Sequence, residues 1–385
     1  MVNSRDALAG ESKQHNTRTT SNVFRLLQAC GVPVAFTQQD GLLSIAAPQC
    51  QMLPYQVVVQ REAQGSFLLR HPHVAPGQQF PQLVVELFLS TQNQRYKSYE
   101  LACDSPLMQH AEGDGQVRLL DPTAPLGRPL LTLAGSEVFE SERERTAFVE
   151  VDRISRRAFL ILEKAWQLVD KKLVELRLEF GFDHEGHLLL AGAIDHDGWR
   201  VTEYRPSTHE WRAQPAEEGP LTAERVAELT NGFRVPRQSI ILWRGSPSDN
   251  LDKFFQALGD LEALATVVTC SAHKEPMAAA SRLLGLVHEV PDSVVIAYIG
   301  RSNGAGPTLS AISTAPVITV PASVKEFPND VWSSLRAPSK VPVMTVLEPS
   351  NAVLAALQIL SARSPLVYAR LRAELETRMV NTIRL

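Results

Sequence analysis

Two domains of different construction are predicted for this chain: an α+β domain, then a doubly wound α/β domain with a parallel sheet. Three observations predict it. The length of 385 residues exceeds what one hydrophobic core usually organises. After about residue 236, near-continuous apolar runs alternate regularly with helix-period stretches. Before about residue 215, strand-like and helix-like runs follow one another without that regularity and are separated by polar, turn-rich segments.

The bulk composition narrows the function classes. Apolar residues make up 44% and charged residues 21%, which suits packed cores and argues against wholesale disorder. A net charge of −4 gives no electrostatic case for nucleic acid or an anionic membrane. The polar start, "MVNSRDALAGESKQHNTRTT", carries no apolar signal core, and no stretch approaches the roughly 20 apolar residues that span a bilayer. Cys30, Cys50, Cys103 and Cys270 are scattered without a C-x-x-C, so reduced thiols and a cytosolic location are expected.

The elements follow in order. "TTSNVFRLLQACGVP" reads as a helix, capped by Thr20 or Ser21 and stopped by Gly31 and Pro33. "LPYQVVVQREA" and "QLVVELFLS" read as strands, rich in β-branched residues. From 92 to 145 turn residues dominate with little periodicity, which predicts a long surface insertion. "ILEKAWQLVDKKL" returns to helical spacing, and "LVELRLEFGFDHEGHLLLAGAID" is a strand, a polar turn and a strand. Pro206, Pro215 and Pro220 mark a boundary. The predicted organisation is a domain over 1–215, a linker over 216–236 and a second domain over 237–385. In that second domain "SIILWRG", "ATVVTC", "SVVIAYI", "APVITVP" and "VPVMTVL" are strands with helices between and after them.

In a doubly wound sheet, ligands bind beyond the carboxyl ends of the strands. Three loops are selected by that rule: "GSPSD" (245–249), "SAHK" (271–274) and "GRSNGAGP" (300–307). Their chemistry suits a phosphorylated sugar. Gly245, Ser246 and Ser248 offer close amides and hydroxyls to an anion, and Asp249 accepts from ribose hydroxyls. Lys274 is a point charge suited to phosphate, and His273 can exchange a proton near neutral pH. Singly, such features are more often a helix cap, a packed histidine or a surface charge; together they fall at one edge of one sheet.

"GSPSD", "CSAHKEP", "GRSNGAGP" and "DVWSSLRAPS" resemble the class II aminoimidazole ribonucleotide (AIR) carboxylases of purine biosynthesis, from about residue 238 onward. The lysine of S-A-H-K and the G-R-S-N-G turn resemble the class that uses carbon dioxide directly. The resemblance implies a flavodoxin-like fold, conversion of AIR and carbon dioxide to carboxyaminoimidazole ribonucleotide (CAIR), no cofactor or metal, and a homo-oligomer, an octamer in the family. It implies catalytic roles for His273, Lys274 and Ser302. Substrate binding would fall to Gly245, Ser246, Ser248, Asp249, Ser271, Gly300, Arg301, Asn303 and Gly304.

"AFTQQDGLLSIAAPQCQMLPYQVVVQREAQGSFLLR", "ILEKAW" and "LEFGFDHEGHLLLAGAIDHDGWR" are similar to SAICAR synthetase, which joins aspartate to CAIR using ATP and Mg²⁺ and is fused to the carboxylase in animals. Arg61, Ser66, Glu179, Asp195 and Arg200 stand at positions that match its site. Several positions depart. The sequence begins after the family's G-K-T-K hairpin and contains no such segment. Gln56 and Gln60 replace a Glu and a phosphate-gripping Arg, Ser90-Thr91-Gln92 replaces K-D-D, and Gly192 replaces an Asp. Weak or lost synthetase activity is therefore expected, with ATP and Mg²⁺ needed only if it persists. The alternatives are a fully bifunctional enzyme, or a silent paralogue that co-assembles with a full-length homologue. The carboxylase half departs at Glu275, Ile312 and Lys340, the last in place of a family Gly. The turns "DHEGH" and "DHD" are not expected to bind metal.

Overall fold

The computed structural model describes residues 4–91, 93–110, 115–139, 141–203, 221–300 and 304–381. The chain forms two compact units, Met1–Val235 with Arg372–Leu385, and Pro236–Leu371.

The first unit is built on an antiparallel sheet. Its strands are β1 (Gln51–Glu62), β2 (Gln79–Leu89), β3 (Leu107–His110), β4 (Gln116–Leu120), β5 (Leu131–Ala134), β6 (Lys171–Phe182), β7 (Leu188–Leu190) and β8 (Trp199–Glu203). The order is β7-β6-β1-β2-β3-β4-β5, with β8 also paired to β6. Its helices include α1 (Ser4–Ala29), α2 (Ser66–Arg70), α3 (Glu142–Gln167) and α4 (Ala223–Thr230). In β1, Val57 and Val59 are fully buried, as are their partners Leu178 and Leu176 of β6, and α3 packs on these strands. Strand alternation sends Gln56, Gln60, Glu175, Arg177 and Glu179 to the opposite face.

Three expectations for this unit are corrected. The first helix begins at Ser4, well before the expected cap, and ends as expected, with Gly31 at φ 72°. The segment 92–145 is more than a surface insertion, because β3, β4 and β5 extend the main sheet and bury Leu107, Val117, Leu119 and Leu133. These strands have only four or five residues, too few for a period to show. The segment 216–236 is more than a linker, because α4 folds within it. Thr222 caps α4, which buries Val226, Ala227 and Thr230, and the Asn22 amide of α1 donates to Asn231 Oδ1 at 3.0 Å.

The last residues also belong to the first unit, against the expected 237–385 domain. α9 (Pro365–Glu376) ends there. Glu376 accepts from Arg61 Nη2 at 2.7 Å, from Arg372 Nε at 2.8 Å and from the Leu83 amide at 3.0 Å. Asn381 accepts from the Gln82 amide at 3.1 Å. β3 reaches β2 only at Leu87 and Phe88, so these side chains partner strand amides that no neighbouring strand takes up.

The second unit has five parallel strands: β9 (Ser239–Arg244), β10 (Ala265–Thr269), β11 (Ser293–Ile299), β12 (Val317–Pro321) and β13 (Val343–Thr345). Their order, β10-β9-β11-β12-β13, is flavodoxin-like. Ile240 and Leu242 pack with α5 (Asp252–Leu258) and α8 (Pro349–Ser361) on one face. Ile241 and Trp243 pack with α6 (Pro276–Glu289) and α7 (Ala305–Ala311) on the other. Burial on both faces is why these strands read as unbroken apolar runs. Leu366 and Leu371 of α9 pack against this core. No described helix is long and apolar enough to cross a membrane.

Candidate functional site

The strand order of the second unit reverses between β9 and β11, the switch point where ligands of such sheets bind. The loop after β9 is tied by its own side chains. The Asp249 carboxylate accepts from the Ser246 amide at 3.0 Å, the Asp249 amide donates to the Ser246 carbonyl at 3.1 Å, and the Ser246 and Ser248 hydroxyls share a 2.8 Å hydrogen bond. The other Asp249 oxygen faces the loop after β11, where a Cβ added to Gly300 would lie 3.8 Å from it. The first and third loops therefore meet at Asp249. Beside them a depression of about 370 Å³ is lined by residues that include Arg244, Ser248, Asp249, Asn250, Phe255 and Val267. Tyr298, on β11, feels the same charge: burial lifts its phenol above the ordinary value and the Asp249 carboxylate adds to the rise.

The loop after β10 joins through the backbone. The Cys270 amide donates to the Arg244 carbonyl at 3.0 Å, and Trp243 Nε1 donates to the Cys270 carbonyl at 2.9 Å. Ser271 Oγ accepts from the Lys274 amide at 3.3 Å. The His273 and Lys274 side chains are exposed. In "GRSNGAGP" the glycines divide their work. Gly304 has φ −68°, which any residue adopts, whereas Gly306 lets α7 sit hard on β12, since a Cβ there would overlap Thr319 Cγ2.

The polar sheet face of the first unit is arranged differently. Gln60 donates to Glu175 at 2.9 Å, Arg177 donates to Glu175 at 3.1 Å, and Gln60 Oε1 is buried without a partner among the described residues. Arg70 grips both Glu86 oxygens at 2.5 Å and donates to Ser66 Oγ at 3.1 Å. Burial pushes the Glu86 carboxyl up, against the pull of Arg70. Arg200 reaches Gln64 Oε1 at 3.0 Å. Gln56 contacts Glu179 at 3.5 Å, and a Cβ on Gly192 would lie 2.6 Å from Glu179 Cβ.

Residues 239–380 match the AIR carboxylase family model, and residues 7–106 with 133–214 match the SAICAR synthetase model. The chain joins a SAICAR synthetase domain to an AIR carboxylase domain. It is 29% identical to the probable multifunctional protein of Caenorhabditis elegans, over 97% of this chain and 86% of that protein. It is 29% identical to the bifunctional phosphoribosylaminoimidazole carboxylase/phosphoribosylaminoimidazole succinocarboxamide synthetase of Homo sapiens, over 94% of this chain and 82% of that protein. A solved structure of PurE from Treponema denticola aligns over 37% of this chain and 92% of its own, at 27% identity and a TM-score of 0.34.

In the AIR carboxylase domain Gly245, Ser246, Ser248, Asp249 and Gly300 come together at the switch point, and Ser271, His273 and Lys274 lie on the loop after the adjacent strand. Arg301, Ser302 and Asn303 lie outside the described residues. In the synthetase domain Arg200 reaches Gln64, two residues before Ser66, but Arg61 does not belong with them. It is buried, held by Glu163 at 2.7 Å and by Glu376, and its remaining N–H groups meet the carbonyls of Phe80 and Pro81. A guanidinium so occupied has no donor to offer a ligand. Glu179 borders Gly192, while Asp195 shapes its own turn by accepting the Asp197 amide at 3.1 Å. Asp183, Glu185 and His187, and likewise Asp195, His196 and Asp197, bring ligand atoms within 4.8 Å of one another in exposed or half-buried turns. Sequence reasoning missed Arg244. Its signal was a lone arginine closing an apolar strand directly before the first loop.

Proposed function

We propose that this chain is a cytosolic AIR carboxylase of purine biosynthesis that converts AIR and carbon dioxide to CAIR, with its SAICAR synthetase reaction severely weakened. The observation that carries the carboxylase reading is the meeting of "GSPSD" and Gly300 through Asp249 at the switch point of a domain in that family. The reaction forms one C–C bond. C4 of the electron-rich aminoimidazole attacks the carbon of carbon dioxide, the new carboxylate takes the charge, and the C4 proton leaves to a base. His273 is that base. Lys274 and Ser246 hold the phosphate and Asp249 the ribose hydroxyls. Ser271, Ser302 and the turn around Gly300 wall a dry pocket for carbon dioxide.

Magnesium and ATP do not fit the first unit well. Gln60 presents a buried amide where the family grips phosphate with arginine, and Gly192 and Gln56 stand where it places carboxylates. Self-association through the second unit belongs to the proposal; it exposes Trp332, Leu335, Met344 and Leu347, each at least 40% accessible. Light scattering that reports a monomer at micromolar concentration would remove that part.

Steady-state carboxylase and synthetase assays on the purified chain test the whole reading. Carboxylation of AIR without SAICAR formation is the expected result. Turnover of both reactions establishes a bifunctional enzyme. Turnover of neither leaves a silent paralogue, to be sought in hetero-oligomers with an active homologue.

A further inference from the structure

We propose that Arg244 is a positioning residue that holds the "GSPSD" loop so that the Asp249 carboxylate faces both Gly245 and Gly300. This rests on the reading of that loop as a ribose and phosphate site. Arg244 ends β9, which lies between the edge strand β10 and β11, with Thr269 and Tyr298 as its neighbours in register. Its guanidinium lies beside the loop and borders the depression next to it. Nε donates to Thr269 Oγ1 at 2.8 Å, and Nη1 donates to the carbonyls of Pro247 at 3.1 Å and Asp249 at 3.0 Å. One planar group therefore ties the edge strand β10 to two carbonyls of a loop that contains no regular structure.

The carbonyl of Asp249 is fixed by Arg244, and its carboxylate is fixed by the Ser246 amide. With both ends of the residue held, the second carboxylate oxygen is left facing Gly300. An acceptor fixed before the substrate arrives loses less freedom on binding a ribose diol. Hydrogen bonds to a charged donor are the stronger kind, and lysine cannot reproduce the fork. Arg244 touches no reacting atom, so its effect appears in substrate binding and not in the proton transfer at His273.

Four variants of the full chain decide this: Arg244→Met, Arg244→Lys, Asp249→Asn, and Arg244→Met combined with Asp249→Asn. KM for AIR is expected to rise about tenfold in Arg244→Met with kcat changed less than about threefold, and Arg244→Lys to recover only part. In the Asp249→Asn background Arg244→Met should add nothing, because its effect passes through Asp249. Equal effects in both backgrounds, or a fall in kcat alone, would overturn the assignment. Amide exchange gives a readout independent of activity. The Ser246 and Asp249 amides should lose protection in Arg244→Met while β11 keeps its own. Unchanged protection sinks the positioning role even if the enzyme is active. Lost protection in a protein that never turns over AIR keeps it and instead removes the carboxylase reading.

Discussion

The two domains treat their polar side chains in opposite ways. In the AIR carboxylase domain the backbone of the loops is held by Arg244 and by strand-end amides, and the side chains of His273 and Lys274 stand exposed. In the synthetase domain the charged groups hold one another. Arg61 is closed by Glu163 and Glu376, Arg70 by Glu86, and Glu175 by Gln60 and Arg177. A polar face whose donors and acceptors satisfy each other is a structural element. A polar face keeps binding capacity when something else supports the chain that carries it.

The largest effect expected from this contrast lies in the exposed pair. His273→Ala should cut carboxylation by about 10²–10⁴-fold while AIR binding survives, because it removes the group proposed to take the C4 proton. Lys274→Ala should leave kcat nearly intact and weaken AIR binding about tenfold. Measured kcat and KM that show the reverse pattern would exchange the two roles.

Next comes the buried network. Arg61→Met takes from Glu163 and Glu376 the buried guanidinium they share, leaving Arg372 on Glu376, and about 3–5 kcal/mol of the first unit's stability should be lost in urea unfolding. The carboxylase rate should not follow. A loss below about 1 kcal/mol would mean the network opens to water and Arg61 is free to bind after all.

A smaller effect tests whether the first unit has closed around its altered residues. Gly192→Asp restores the family's residue but brings a Cβ to 2.6 Å from Glu179 Cβ. The collision involves atoms fixed to the backbone, so about 1–3 kcal/mol of stability should be lost in denaturant titration. No loss would show that the sheet still has room for the missing acid. The smallest effect is a gain. Lys340 sits at φ 68°, in the left-handed region, where the family has glycine. Lys340→Gly should raise stability by about 0.5–1 kcal/mol in the same titration without touching turnover.

Legibility in the sequence followed chain separation. The parallel strands could be read because burial on both faces leaves runs such as "SIILW" and "SVVIAYI". The loops that follow them could then be assigned by rule, and Asp249 with Gly300 met as that rule requires. The short strands at 107–110, 116–120 and 131–134 could not be read, because four or five residues carry no period and each is placed by pairing with the strand before it, starting from β2. Arg61 was expected at the synthetase site because its position matches the family's. Its true partner, Glu376, lies 315 positions away, where no local pattern reaches. The carbonyls that Arg244 supports are likewise visible only once the loop is folded.

The first unit is assembled from two distant pieces of chain, and translation delivers them at different times. Pro236–Leu371 emerges from the ribosome between them. At typical elongation speeds this delay is on the order of 10 s, long compared with the folding of a small domain. During it Arg61 has Glu163 but not Glu376, and the Gln82 and Leu83 amides lack their C-terminal acceptors. The nascent synthetase domain therefore waits with an unfinished edge while the carboxylase domain, contiguous in sequence, has everything it needs to fold.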